Sequence, residues 1–242
     1  MSRIKRQFGF TLIEIAVVLV IVGLLVGSFI NTFSERIETT RISETDAELA
    51  DIKDALIAFA FTRGGAPYLP CPDVTAPPDG AEDRDGFGNC SAGVNVGVLP
   101  WRTLGFARAD AWSTQYSYWV NNDFAVNTGF TLATDNVANY STIRTRVNDV
   151  LTDVSQNAVA VVFSHGKNGL GGISSENVNR PALPAPGNGF DDEIENQDAN
   201  RIFISRYRTD EGVATAGGAF DDIVVWINAF ELKARMIEAG AL

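Results

Sequence analysis

Glu14 is the first side chain that demands a chemical explanation. It is the one charged residue in residues 10–30, a run of 21 positions. A carboxylate near the start of a membrane helix costs a few kcal/mol, so it is usually paired and functional. In a bundle of like helices, the amine of a neighbouring chain would neutralise it. A second candidate is Ser164-His165-Gly166-Lys167-Asn168-Gly169, which holds the only histidine. It reads as a phosphate-cradling loop, a Ser–His pair or a turn. The Gly-Lys-(Ser/Thr) ending of a phosphate loop is missing. Adjacent strand residues point to opposite faces, so Ser164 and His165 are poorly placed to act together. Gly166, Gly169 and the Asn168-Gly169 pair favour the turn. The third set is acidic: Asp79, Glu82, Asp83 and Asp85; then Asp191, Asp192, Glu193, Glu195 and Asp198; then Asp221 and Asp222. Calcium takes six to eight oxygen ligands from carboxylates and carbonyls on flexible loops. Neither larger cluster has the full Asp-x-Asp-x-Asp-Gly…Glu loop, and most acid-rich loops are simply solvated.

The elements that carry these groups follow from hydropathy and periodicity. About 20 apolar residues cross a bilayer as a helix, and residues 10–30 suffice. Arg3, Lys5 and Arg6 precede them with no acid before Glu14, which places the first residues in the cytoplasm. A secretory signal peptide fits worse, because its apolar part is shorter and ends in a small-residue cleavage site. Beyond residue 30, Phe33, Ile37, Ile42, Leu49, Ile52, Leu56, Ile57 and Phe59 recur at three- and four-residue spacing. One continuous helix over residues 10–62 is expected, ending at Gly64-Gly65 and Pro67. Gly23 and Gly27 either let helices approach closely or are merely tolerated in lipid. Residues 64–110 read as irregular. Residues 115–120, 158–164, 201–207 and 222–226 read as strands, and 229–239 as a C-terminal helix. Residues 144–154 stay open between helix and loop.

The full chain carries −11. That balance argues against general nucleic-acid binding, which needs a basic footprint, although Arg201, Arg206 and Arg208 leave a local patch open. Cys71 and Cys90 are the only cysteines. In an exported chain an even count suggests a disulfide, worth about 3 kcal/mol for a loop of this size. The competing reading is two free thiols. A metal site fits less well still, because His165 is distant in sequence and two cysteines do not complete a zinc site.

Gly9-Phe10-Thr11-Leu12-Ile13-Glu14 ahead of an apolar helix resembles the prepilin leader junction of type IV pilins and type II secretion pseudopilins. The resemblance implies cleavage by a prepilin peptidase after Gly9 and N-methylation of Phe10. It implies that Glu14 meets the N-terminal amine of a neighbouring subunit. Removing the leader's three positive charges would leave −14 on 233 residues. Leu99-Pro100-Trp101-Arg102-Thr103-Leu104-Gly105, followed by Asp110-Ala111-Trp112, is similar to a subgroup of pilin-like proteins with the same cysteine-framed loop. Ser113 stands where that subgroup has glycine. Phe220-Asp221-Asp222-Ile223 is similar to the region before the last strand where some pseudopilins bind calcium. Together with the acidic clusters, this favours Asp191, Asp192, Asp221 and Asp222 over the cysteine-framed loop as the expected calcium site.

The expected fold is α+β, with a long N-terminal helix packed on a small antiparallel sheet with irregular loops. The expected organisation is a leader over residues 1–9, a transmembrane half-helix over 10–30, an amphipathic half over 31–63 and an exported head over 64–242. The expected function is a structural subunit, not an enzyme, built into a type IV pilus or a type II secretion pseudopilus. Elaboration of the head suggests a minor subunit. Implied partners are other pilin or pseudopilin subunits, prepilin peptidase, an inner-membrane assembly platform and membrane lipid. The implied location is the inner membrane in a single pass, head in the periplasm, and then the filament. The alternatives are a tip adhesin or DNA-uptake pilin, a signal-anchored periplasmic domain, and a membrane-tethered enzyme. The last is disfavoured by one histidine with no evident partner.

Overall fold

The computed structural model describes residues 10–63, 65–91, 96–198 and 200–242, and no side chains for residues 26–34. The expected leader, Gly9 and Gly27 therefore lie outside the described side chains. The chain divides between Ser43 and Glu44. Helix α1 (Leu12–Phe61) is followed by β1 (Val96–Val98), α2 (Trp101–Leu104), β2 (Ser117–Val120), α3 (Asn122–Ala125), β3 (Ser141–Val147), β4 (Val150–Ser164), α4 (Asp191–Gln197), β5 (Ile202–Ile204), β6 (Ile223–Asn228) and α5 (Ala229–Glu238).

In the larger unit, Leu49, Ile52, Leu56 and Ala60 lie on one face of α1 at helical spacing and are fully buried. They pack with Tyr118, Val120, Val162, Ile227 and Leu232. Burying a leucine or isoleucine of this kind contributes about 1.5–3 kcal/mol. The other face of the sheet carries Trp119, Val161, Phe163, Phe203 and Val224. Trp119 opposes Tyr118 and Val120 because successive strand residues alternate. Strand β4 is covered on both sides at its C-terminal end, which explains its unbroken apolar run. Lys53 and Glu231 tie α1 to α5 at 2.8 Å.

The sheet is six-stranded, in the order β1-β2-β4-β3-β5, with β6 also pairing β4. The expected antiparallel sheet needs one correction: β5 joins β3 in parallel. A long connection through α4 returns the chain in the same direction, as parallel pairing requires. Residues 144–154, left open by their sequence, form a hairpin. Its turn is Asn148-Asp149, with φ of 51° and 65°. Positive φ at both central residues is the requirement of the turn that best matches strand twist. Residues 201–207 shorten to the three-residue β5.

Among the described residues no helix is long and apolar enough to cross a membrane. The expected span over residues 10–30 falls partly on residues 26–30, whose side chains are not described.

Candidate functional site

In the N-terminal unit, Phe10, Leu12, Ile13, Leu19, Val20 and Leu24 are all exposed, and they lie on every side of the helix. The start of α1 is closed locally. Glu14 Oε2 accepts from the Thr11 N–H at 3.1 Å and from the Thr11 hydroxyl at 3.2 Å. Thr11 Oγ1 in turn accepts the Glu14 N–H at 3.3 Å. This is a capping box, Thr-x-x-Glu, which satisfies two donors that a helix N-terminus otherwise leaves open. The Thr-x-x-Glu spacing is readable in the sequence, and it gives Glu14 a partner within its own chain.

In the larger unit, the acidic residues separate into three arrangements. The first is the disulfide loop, where Cys71 and Cys90 are bonded with Cα atoms 5.2 Å apart. Its acids are spoken for. Glu82 accepts the Cys71 N–H at 3.0 Å and pairs with Arg84 at 2.9 Å. Asp83 accepts the Val74 N–H at 2.7 Å, and Asp85 accepts the N–H groups of Phe87 and Asn89. The backbone bond from Asn89, reinforced by those from Phe87 and Gly88, holds the Asp85 carboxyl below its ordinary range. Arg84 also donates to the carbonyls of Leu69, Gly88 and Ala125.

The second arrangement is centred on Asp192, on α4. Arg146 reaches both of its oxygens at 2.7 Å, and Arg206 reaches Oδ2 at 2.6 Å. The Asp192 side chain is almost wholly buried. Neighbouring Asp191 turns out of the cluster and accepts the Gly187 N–H.

In the third arrangement three carboxylates meet, and the charge of Arg208 acts on one of them, Asp221. Ligand oxygens of Glu193, Asp221 and Asp222 lie within 4.8 Å of one another. Glu193 and Asp222 are buried, at 1% and 6% exposure. Glu193 Oε1 accepts the Asp221 N–H at 2.9 Å, and Asn168 Nδ2 donates to both of its oxygens at 3.0 Å. Asp222 Oδ2 accepts from Asn196 at 2.8 Å. Asp221 Oδ2 accepts the Asn168 N–H, whereas its buried Oδ1 accepts nothing from the described residues. Burial, then the charge of Asp221, pushes the Glu193 carboxyl up to about 7. Burial pushes Asp221 and Asp222 up as well. The turn after β4 serves this site. Gly166, at φ 57°, has its missing Cβ 2.3 Å from the Asp221 carbonyl, so only glycine fits. That turn delivers Asn168. A cavity of about 420 Å³, lined by Lys167, Asn168, Arg208 and Asp221, opens beside it.

Of the four residues expected to hold calcium, Asp221 and Asp222 come together, while Asp191 and Asp192 face elsewhere. Glu193 takes their place. It hid within a run of acids whose helical turn was not recognised, and that turn carries 192, 193 and 196 inward.

A profile described as the prokaryotic N-terminal methylation motif matches residues 4–30. The type IV narrow pilus major component PilA5 of Thermus thermophilus is 35% identical over 75 residues, which is 31% of this chain and 63% of that protein. The chain is similar to a type IV pilus component over that stretch. It spans less than two thirds of the length of that relative. No solved structure matches.

In the larger unit, the Asp110-Ala111-Trp112-Ser113 turn closes on Asp110, whose Oδ1 accepts the N–H groups of Trp112 and Thr114 at 2.9 Å. Ser113 sits at φ 61°, which accounts for the glycine of similar chains at this point. Ser164 turns inward and donates to Asp110, away from His165. Of the arginines in the local basic patch, Arg206 pairs with Asp192, and Arg201 donates to Asn139.

Proposed function

We propose that this chain is a structural filament subunit, cleaved after Gly9, methylated on Phe10 and assembled through the first half of α1 into a type IV pilus or a type II secretion pseudopilus. The observation that carries this reading is the exposed apolar surface around α1 from residue 10 to 25, headed by one carboxylate. Exposed apolar surface of that extent calls for lipid or for like helices. Glu14 Oε1 accepts no bond from the described residues, so it remains open to the amine of a neighbour. The head would be periplasmic before assembly, and its irregular loops favour a minor subunit. Mass and N-terminal sequence of the protein from membranes, with and without prepilin peptidase, test this. A methylated Phe10 terminus found only with the peptidase is expected. Retention of residues 1–9 in both cases would leave a signal-anchored domain instead.

A second reading concerns the head alone. Three close carboxylates, two of them buried, with one buried oxygen that accepts nothing from the described residues, call for protons or a cation. We infer that Glu193, Asp221 and Asp222 hold calcium, completed by backbone oxygens or water. The metal would cross-link the turn after β4, α4 and the start of β6. Melting at pH 7.5 with calcium and with chelator decides it: a higher midpoint with calcium is expected, lost in Glu193→Gln. An unchanged midpoint leaves protons as the compensation.

A further inference from the structure

A cavity of about 590 Å³ lies between β1, the disulfide loop and the segment after β4. Val74, Val96 and Ile173 give it an apolar wall, and Asn179 and Gln197 add amides. Ser117, the first residue of β2, lines it as well. Its Oγ is 2.8 Å from Nε2 of His165. The imidazole is 2% exposed and lies tilted against Phe163, with ring centroids 5.1 Å apart. At Gly172 a Cβ would come within about 3 Å of the same ring, so the glycine makes room for it.

The tautomer follows from the other ring nitrogen. Nδ1 lies 3.1 Å from the carbonyl oxygen of Leu170 and 3.3 Å from Nε2 of Gln197. The carbonyl only accepts, so the shorter contact places the hydrogen on Nδ1. Gln197 Nε2 donates to that carbonyl too, at 2.8 Å. The ring Nε2 then offers its lone pair to the Ser117 hydroxyl. Burial lowers the imidazole to about 4, so it is neutral at pH 7 and its Nε2 lone pair is free to accept the Ser117 hydroxyl. Nucleophile, base and an orienting acceptor thus stand in line beside a cavity, the arrangement of an activated serine.

We propose that Ser117 is a nucleophile, with His165 as its base, that accepts acyl groups from small neutral esters entering this cavity. Asp73 is the only charged residue among the described lining residues, and its carboxylate already accepts the N–H groups of Thr75 and Gly80, so a neutral ester suits the site. Ser117 Oγ bonds to the acyl carbon as the ester C–O bond breaks. The hydroxyl proton passes to His165 Nε2 and then to the leaving alkoxide, which departs as the alcohol. Water attacks the acyl-serine, passes its proton along the same path, and releases the acid with Ser117 restored.

The probe is a fluorophosphonate, applied to the full-length protein in detergent and followed by intact mass and peptide mapping. One adduct per native chain, on Ser117, is expected, with none after heat denaturation. Ser117→Ala would abolish it. His165→Gln would slow it by about 100-fold or more, the usual share of a general base. A native, cooperatively melting wild type that leaves Ser117 unlabelled overturns the proposal, as does labelling that is equal before and after denaturation. If His165→Gln fails to fold, the wild-type comparison still decides.

Discussion

The disulfide loop and the region around α4 are both rich in acids, and they neutralise them by opposite means. In the loop, Glu82, Asp83 and Asp85 accept backbone N–H groups, and Arg84 threads between them. Each carboxylate there organises an irregular stretch with little core of its own. At α4 the chain splits its acids by helix face. Asp192 is clasped by two arginines, while Glu193 meets two further carboxylates. The same residue type is a fastener in one place and an unmet demand in the other. What decides is burial and the charge of the neighbouring groups, not the count of acids.

Four changes would break or sharpen that contrast. The largest effect is expected from Asp192→Asn, which leaves Arg146 and Arg206 without their counter-charge. Breaking a buried ion pair costs about 3–5 kcal/mol, measurable by urea unfolding. A loss under about 1 kcal/mol would mean that the arginines find water. Replacing Cys71 and Cys90 by serine comes next, at about 3 kcal/mol. The same unfolding experiment should show it, and no loss would mean that the carboxylate bonds hold the loop unaided.

Glu193 follows. Its carboxyl is raised from an ordinary 4.5 to about 7, so the folded state binds the proton more tightly than the unfolded state. Stability is therefore full below pH 4.5 and is lost as pH rises toward 7. In chelator, wild type should lose about 3–3.5 kcal/mol relative to Glu193→Gln across that window, at about 1.4 kcal/mol per pH unit. Parallel pH curves for the two proteins would mean that this carboxyl titrates normally. The smallest effect is expected at Asp110, a carboxylate that is buried yet fully served. Ser113→Gly relieves the positive φ of its turn and should stabilise by about 0.5–1 kcal/mol. That corresponds to a rise of about 2–4 °C in Tm. A fall instead would show that the Ser113 side chain contributes to the turn.

Much of the architecture was readable because it is periodic. The buried stripe of α1, the aromatic β2 and the helix α5 follow repeating patterns in the residues themselves. The β3–β4 hairpin did not, because its turn uses Asn148-Asp149 without a glycine and its outer half is exposed on both faces. The parallel pairing of β5 depends on a partner some 60 positions away, which no local pattern encodes. For the sites, Glu14 and the cysteines stood out by rarity. Glu193 did not, because one acid in a run of acids carries no mark of burial. Nor did Ser117, whose partner His165 lies 48 residues away.

The disulfide has one further consequence. Phe87 is 88% exposed and lies between Cys71 and Cys90, in the most open part of the loop. A protease that cuts beside Phe87 would sever the backbone without releasing either piece. The nicked protein would migrate as a single band on a gel without reductant and as two bands once thiol is added. Sheared or digested preparations judged only under oxidising conditions would then pass as intact.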